Sequence, residues 1–113
     1  MPSLSVRIDF DGGKRIGPGK IALLKAVGET GSIAAAGRSL GMSYRRAWRL
    51  IEELNGCFRT LLVAAQTGGK SGGGAGLTAL GKSVIAHYTA IDDKAHKAAA
   101  RHLKALRATM RER

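Results

Sequence analysis

The segment that most constrains the fold of this chain runs from Ile33 to Leu50 and has the pattern of two short helices joined by a tight turn. Gly37 is small enough to let two helices cross closely, and Gly41 can adopt the positive φ that the turn needs. Five apolar residues are expected to fill the small core that the two helices share: Ala36, Leu40, Met42, Ala47 and Leu50. The segment therefore predicts a helix-turn-helix.

Outside that apolar set, the second helix of the motif carries polar side chains that suit contact with DNA. Hydroxyl and guanidinium groups at a helix N-terminus bind phosphates and base edges in a major groove. Trp48 is also a candidate contact, although packing against a third helix or the base of a wing fits its position equally well. An exposed, solvated helix face is the alternative for the arginines. The candidate DNA-binding residues here are Ser32, Ser43, Tyr44, Arg45, Arg46, Trp48 and Arg49.

The charge of the chain points to the same class of partner. Its 113 residues form one expected domain, and 19 Lys and Arg against 8 Asp and Glu give a formal net charge of +11. This excess favours nucleic acid or an anionic membrane. No apolar run approaches the roughly 20 residues that a membrane span needs, so we expect a cytoplasmic protein on the nucleoid. The single cysteine, Cys57, predicts a plain thiol.

Patterning divides the expected domain, 1–113, into four parts. Alternating apolar residues over 4–10, followed by Asp11-Gly12-Gly13, predict an N-terminal β-hairpin over 4–17. A three-helix DNA-binding core follows over 18–56, with Ser32 and Ser43 as helix N-caps. Residues 60–78 predict a wing, formed by a strand over 61–65, a glycine-dense tip over 67–76 and a return strand. Thr78 is then expected to cap a long helix over 79–111.

The last helix has one apolar face and a basic C-terminal half. Apolar residues recur along it at steps of three and four, and we expect a homodimer to form through Val84, Tyr88, Ile91 and Ala95. His96 and His102 are six residues apart, so a shared metal site on one helix face is not expected. No catalytic residue, cofactor or metal is expected. The predicted fold class is mainly α with a small β component, a winged helix-turn-helix with a long C-terminal dimerisation helix.

Two linked motifs carry a resemblance to a known family. The first motif consists of Gly31-Ser32-Ile33, Ser43-Tyr44, Ala47-Trp48 and Asn55, and the second runs from Thr67-Gly68-Gly69-Lys70 through Leu77-Thr78. Together they resemble the N-terminal DNA-binding domain of ModE-type molybdate-responsive regulators. The resemblance implies a LysR-like winged helix and a dimer on an inverted-repeat operator of molybdenum-related genes. It also implies wing-tip contacts from Gly69, Lys70, Ser71 and Gly72. Since the family's molybdate-binding domains have no counterpart here, the expectation is a regulator without one, with a separate molybdate-sensing protein as a candidate partner.

Two other functions fit parts of the sequence. A nonspecific nucleoid protein would bind DNA through charge alone, and the basic end of the last helix favours it. An NTPase is the enzyme alternative, because residues 64–71 match a relaxed phosphate-loop pattern. That mechanism needs a helix to begin at Lys70-Ser71, whereas Gly72-Gly73-Gly74-Ala75-Gly76 follows. The sequence therefore favours a DNA-binding protein without enzymatic activity.

Overall fold

The computed structural model describes residues 3–66 and 74–112, and most of them are helical. The mainly α fold class with a small β component is therefore confirmed. The elements in chain order are β1 (Ile8–Asp9), β2 (Arg15–Ile16), α1 (Pro18–Thr30), α2 (Ile33–Ser39), α3 (Tyr44–Asn55), β3 (Val63–Gln66), β4 (Gly74–Leu77) and α4 (Ala79–Ala108).

The N-terminal hairpin is shorter than the alternation over 4–10 predicts. β1 and β2 pair antiparallel through Ile8 with Ile16 and Asp9 with Arg15. Between them, Gly12 and Gly13 both have positive φ in a single 3-10 turn. The strand is two residues long because β2 offers only two residues to pair with it. Burial still alternates from Ser3 to Ile8, so one side of this segment faces the protein.

Helix α1 forms the centre of the core. Pro18 occupies its first turn, where the missing N–H costs nothing, and Gly31 ends it in the left-handed conformation at φ 72°. Five of its side chains are buried: Ile21, Leu23, Leu24, Ala26 and Val27. Helices α2 and α3, the wing strand β4 and α4 all contact α1.

The crossing of α2 and α3 has the expected geometry at Gly37 and Gly41. A Cβ added at Gly37 would lie 2.9 Å from the Cβ of Ala47, and Gly41 has φ 72°. Ala36 and Ala47 are buried, and Met42 and Leu50 are partly buried against the core. Leu40 was predicted in this core, and that prediction is wrong. Its side chain is 41% exposed because it follows the last residue of α2, where the chain turns outward.

Strands β3 and β4 pair antiparallel, with Val63 opposite Leu77 and Gln66 opposite Gly74. The first strand was predicted to begin at Leu61, which is instead exposed and lies outside it. Gly74 and Gly76 were assigned to the loop but belong to β4. A Cβ at Gly74 would lie 2.5 Å from the carbonyl oxygen of Gly31, to which the Ala75 amide donates, so this strand needs glycine to approach α1.

Helix α4 begins where Thr78 caps it and accepts a hydrogen bond from the Gly81 amide. It ends at Ala108, three residues before the predicted position. In α4, Gly81 and Tyr88 are the residues that are buried. Tyr88 donates a hydrogen bond to the carbonyl oxygen of Val6 at 2.6 Å, which fastens the N-terminal segment to the helix. Within the described ranges, no helix is long and apolar enough to cross a membrane.

Candidate nucleic-acid interface

The exposed side of α3 carries two arginines, Arg45 and Arg49. Ser43 caps the helix by accepting a hydrogen bond from the Arg46 amide at 3.1 Å, which fixes where the first turn begins. At 100° per residue, Arg45 and Arg49 share the middle of the exposed face, opposite the buried Ala47, Ile51 and Leu54. Over residues 3–66 and 74–112, neither arginine has an ion-pair partner. Both guanidinium groups are therefore available to an anionic partner.

Two aromatic residues flank this arginine pair on the side of the wing. Tyr44 is 58% exposed and Trp48 is 44% exposed. Trp48 borders a groove of about 190 Å³ whose other wall includes Val63, Ala65 and Ala75 of the wing strands. The Trp48 ring thus lies between α3 and the base of the wing, with nearly half of its surface exposed.

Arg46 lies on the opposite flank of α3, towards the N-terminal hairpin. It borders a second cleft together with Leu50 and Glu53, which follow it on the same helical stripe. The structure therefore separates the three arginines that the sequence grouped together. Arg45 and Arg49 form one pair, and Arg46 stands apart from it.

The remaining predicted site residues have different placements. Ser32 caps α2 by accepting a hydrogen bond from the Ala35 amide at 3.1 Å. The wing-tip residues Gly69, Lys70, Ser71 and Gly72 lie outside the described residues. The chain that follows them forms strand β4 from Gly74, where the phosphate-loop alternative requires a helix.

Asn55 has a role that its place in the sequence motif did not reveal. Its Oδ1 accepts hydrogen bonds from the amides of Leu62 and Val63 at 2.8 and 3.1 Å, and its Nδ2 donates to the Val63 carbonyl at 3.2 Å. One side chain at the end of α3 therefore holds the start of β3. The wing is fixed relative to α3 through this residue.

Three basic residues beside Arg46 were also missed. Arg7, Arg15 and Lys20 border the same cleft as Arg46, from the hairpin and from the first turn of α1. Arg7 and Arg15 belong to the predicted hairpin and Lys20 to the first helix, and only the folding of the hairpin against α1 and α3 brings them to Arg46.

Helix α4 carries a further basic surface. Four cations share one face at 100° per residue, on the side of the helix away from its apolar face: Lys97, Arg101, Lys104 and Arg107. Lys97 pairs with Asp93 at 3.1 Å. His96 contacts the backbone carbonyl and the carboxylate of Asp92, at 2.7 and 3.4 Å. In the part of the chain that the structure describes, no three His, Cys, Asp or Glu side chains are grouped to hold a metal.

Comparison with a family model identifies the helix-turn-helix. Residues 19–82 match the model described as bacterial regulatory helix-turn-helix protein, lysR family. The structure is also similar to the crystal structure of the CbnR DNA-binding domain in complex with DNA. That match has a TM-score of 0.59 at 24% identity and covers 77% of this chain and 94% of the other. At this identity the match shows the fold, and it confirms the predicted winged helix-turn-helix.

Two curated proteins are similar in sequence. The molybdenum-pterin-binding protein MopB of Rhodobacter capsulatus is 48% identical over 80 residues, which cover 71% of this chain and 30% of MopB. The transcriptional dual regulator ModE of Escherichia coli K12 is 44% identical over 71 residues, which cover 63% of this chain and 27% of ModE. The chain spans less than a third of the length of these two relatives. The predicted resemblance to ModE-type regulators is confirmed.

Proposed function

Since the chain belongs to the lysR family of bacterial regulatory helix-turn-helix proteins, we propose that it reads a specific DNA sequence as a ModE-type regulator. In this proposal a dimer binds an inverted-repeat operator of molybdenum-related genes. Recognition helix α3 enters the major groove of each half-site. The proposal rests on its similarity to ModE and MopB, whose names refer to DNA-binding regulation and to molybdenum.

The observation that carries the proposal is the arginine pair on α3. Arg45 and Arg49 are one turn apart on the exposed face of a helix whose start is fixed by the Ser43 cap. An arginine held in this way is suited to a bidentate hydrogen bond with guanine O6 and N7. Tyr44 and Trp48 lie beside the pair, where an aromatic ring reaches sugar and thymine methyl groups.

Selection of bound fragments from random double-stranded DNA at ~150 mM salt tests sequence reading directly. We expect an enriched inverted repeat whose half-sites are about 34 Å apart, because a two-fold dimer places its recognition helices one DNA turn apart. The selection is repeated with molybdate. Tight binding without any enriched motif would contradict the proposal and favour a nonspecific, charge-driven DNA-coating protein.

Substitution of the arginine pair tests the assigned residues. Arg45→Gln and Arg49→Gln should each weaken binding to the selected site by about 5- to 150-fold, and should relax base preference at one position if that arginine reads a base. Arg101→Gln on α4 removes the same charge outside α3 and is the matched control. Equal losses for all three variants at every sequence would show that charge, not base contact, accounts for the affinity.

A further inference from the structure

A cleft of about 300 Å³ opens between the N-terminal hairpin, the start of α1 and the side of α3. We call it the basic cleft because four cationic side chains border it: Arg7 and Arg15 from the hairpin, Lys20 from α1 and Arg46 from α3. Glu53 is the acidic residue on its wall. Cations from three different elements therefore converge on one space.

Carboxylates balance two of these four cations. Arg7 pairs with Asp9 at 3.1 Å, and Lys20 pairs with Glu53 at 3.2 Å. Arg15 and Arg46 have no ion-pair partner in the described part of the chain. The basic cleft thus has a surplus of two positive charges. Bringing like charges together costs free energy, which a bound anion would recover.

The basic cleft is built rather than incidental to the surface. The side chain of Lys20 is only 15% exposed, and its Nζ also donates to the Arg15 carbonyl at 3.1 Å, which holds the hairpin against α1. The Arg7 side chain packs against Gly17, where a Cβ would lie 3.6 Å from Arg7 Cγ. The space beside Gly19 is open, since a Cβ added at Gly19 would meet no atom within 4 Å.

The side chains that line the basic cleft favour an anion with phosphate-like geometry. Guanidinium groups offer paired N–H donors that match the oxygens of a phosphate-like group. Met42 and Leu50, both partly buried, supply apolar wall beside Arg46.

We propose that the basic cleft binds a tetrahedral oxyanion, and that Arg46 serves this site rather than base reading. The oxyanion is either a phosphate of bound DNA or a free ion such as phosphate, sulfate or molybdate. The DNA source rests on the proposed function, whereas the free ion does not. In this site, Arg7, Arg15 and Lys20 contact the oxyanion together with Arg46.

The first arm of the test contains no DNA. Phosphate, sulfate or molybdate replaces chloride at constant ionic strength, and thermal unfolding is followed by circular dichroism. An anion that binds should raise the Tm of the wild-type protein by about 4 °C or more once its concentration exceeds about ten times Kd. The double variant Arg7→Gln/Arg15→Gln should lose this rise. The control Lys14→Gln/Lys25→Gln removes two charges from the hairpin and α1 outside the cleft, and should keep it.

The second arm measures affinity for DNA at several salt concentrations. If a DNA phosphate occupies the basic cleft, the slope of log K against log salt should become shallower by about 0.9 for each lost contact in the cleft variant, and not in the control. If the double variant is unfolded, both arms are repeated with the single variant Arg15→Gln, which keeps the Arg7–Asp9 ion pair.

The two arms together identify the source. Loss of the Tm rise alone assigns a free oxyanion, and a changed salt slope alone assigns a DNA phosphate. If the cleft variant behaves like its control in both arms, the proposal is overturned. If the wild-type protein binds DNA without sequence preference, the proposed function fails. The first arm contains no DNA and still tests whether the basic cleft binds an oxyanion.

Discussion

At the scale of single residues, the crossing of α2 and α3 leaves no space for a side chain at Gly37, because a Cβ there would lie 2.9 Å from the Cβ of Ala47. Gly37→Ala should therefore lower the free energy of unfolding by about 1–3 kcal/mol, even though alanine favours helix. Urea unfolding measures the change. Gly19→Ala in α1 is the control, since its Cβ meets nothing within 4 Å, and it should be as stable as wild type or more stable by up to about 1 kcal/mol, because alanine favours helix. Equal stability of the two variants would contradict close packing at the crossing.

Tyr88 predicts a pH dependence of stability. Burial, and then the negative charge of Asp92, raise the pKa of the Tyr88 hydroxyl above its ordinary value near 10. The unfolded chain ionises first as the pH rises, so the stabilising contribution is complete below about pH 10 and is lost as the pH passes through the raised folded-state pKa.

Tyr88→Phe isolates this effect in urea unfolding at pH 8 and pH 11. At pH 8 the variant should be less stable by about 0.5–1.5 kcal/mol, because the hydrogen bond to the Val6 carbonyl is lost. At pH 11 the gap should narrow, since only the wild-type protein carries the ionisable hydroxyl. The control is Tyr44→Phe, whose free energy of unfolding shows the effect of removing a tyrosine hydroxyl from the exposed face of α3. A gap for Tyr88→Phe that is the same at both pH values would contradict the assignment.

Local signals in the sequence predicted most residue-scale features of the helices. The Ser32, Ser43 and Thr78 caps are confirmed, because an N-cap depends only on the residues that follow it within one turn. The prediction that Leu40 is buried was wrong, because its exposure depends on the direction in which the chain leaves α2. Tertiary geometry of that kind has no short-range signature.

At the scale of elements, Asn55 couples the recognition helix to the wing through three hydrogen bonds to Leu62 and Val63. Asn55→Ala should lower the free energy of unfolding by about 1–3 kcal/mol, because the backbone groups at the start of β3 lose their partners in a part-buried position. Hydrogen exchange of the Val63 amide should accelerate more than that of amides within α1.

Asn55→Asp sharpens this test. A carboxylate keeps the two accepted hydrogen bonds but replaces the Nδ2 donor with an oxygen facing the Val63 carbonyl. We expect it to be less stable than wild type and to keep more protection of the Val63 amide than Asn55→Ala. Wild-type exchange rates in both variants would show that other contacts hold the wing.

Pairing between elements was harder to predict than the elements themselves. The glycines of β4 indicated a loop, whereas Gly74 is required where the strand meets the Gly31 carbonyl. Gly28 lies inside α1, and Leu77 of β4 packs where a Gly28 side chain would be. The basic cleft has the same origin, because Arg7, Lys20 and Arg46 meet only after the hairpin folds against α1 and α3. None of these contacts is visible in local periodicity.

At the scale of the whole molecule, α4 leaves an apolar surface that no part of residues 3–66 or 74–112 covers. Its 30 residues span about 45 Å, in a molecule whose longest dimension is 55 Å. A mostly apolar groove of about 270 Å³ lies where the first half of α4 meets the hairpin. Tyr88 is buried within its own chain, whereas Ile91 and Phe10 are 44% and 42% exposed. The groove is lined by Ile8, Phe10, Ile16, Phe58, Val84, His87, Tyr88 and Ile91.

If this surface forms the proposed homodimer, a charge at Ile91 should dissociate it. Ile91→Lys places an ammonium group on the apolar face, where a second copy would have to desolvate it. Sedimentation equilibrium should show a dimer for the wild-type protein and a dissociation constant raised at least about tenfold for this variant, which is a change of about 1.4 kcal/mol. Thr89→Lys adds the same charge on the opposite, exposed side of α4 and should leave the dimer intact. Lys97, Arg101, Lys104 and Arg107 lie away from the apolar face, so dimerisation along Ile91 leaves these four cations accessible. A wild-type protein that stays monomeric at every concentration would refute dimerisation through α4 and would require each recognition helix to bind its half-site alone.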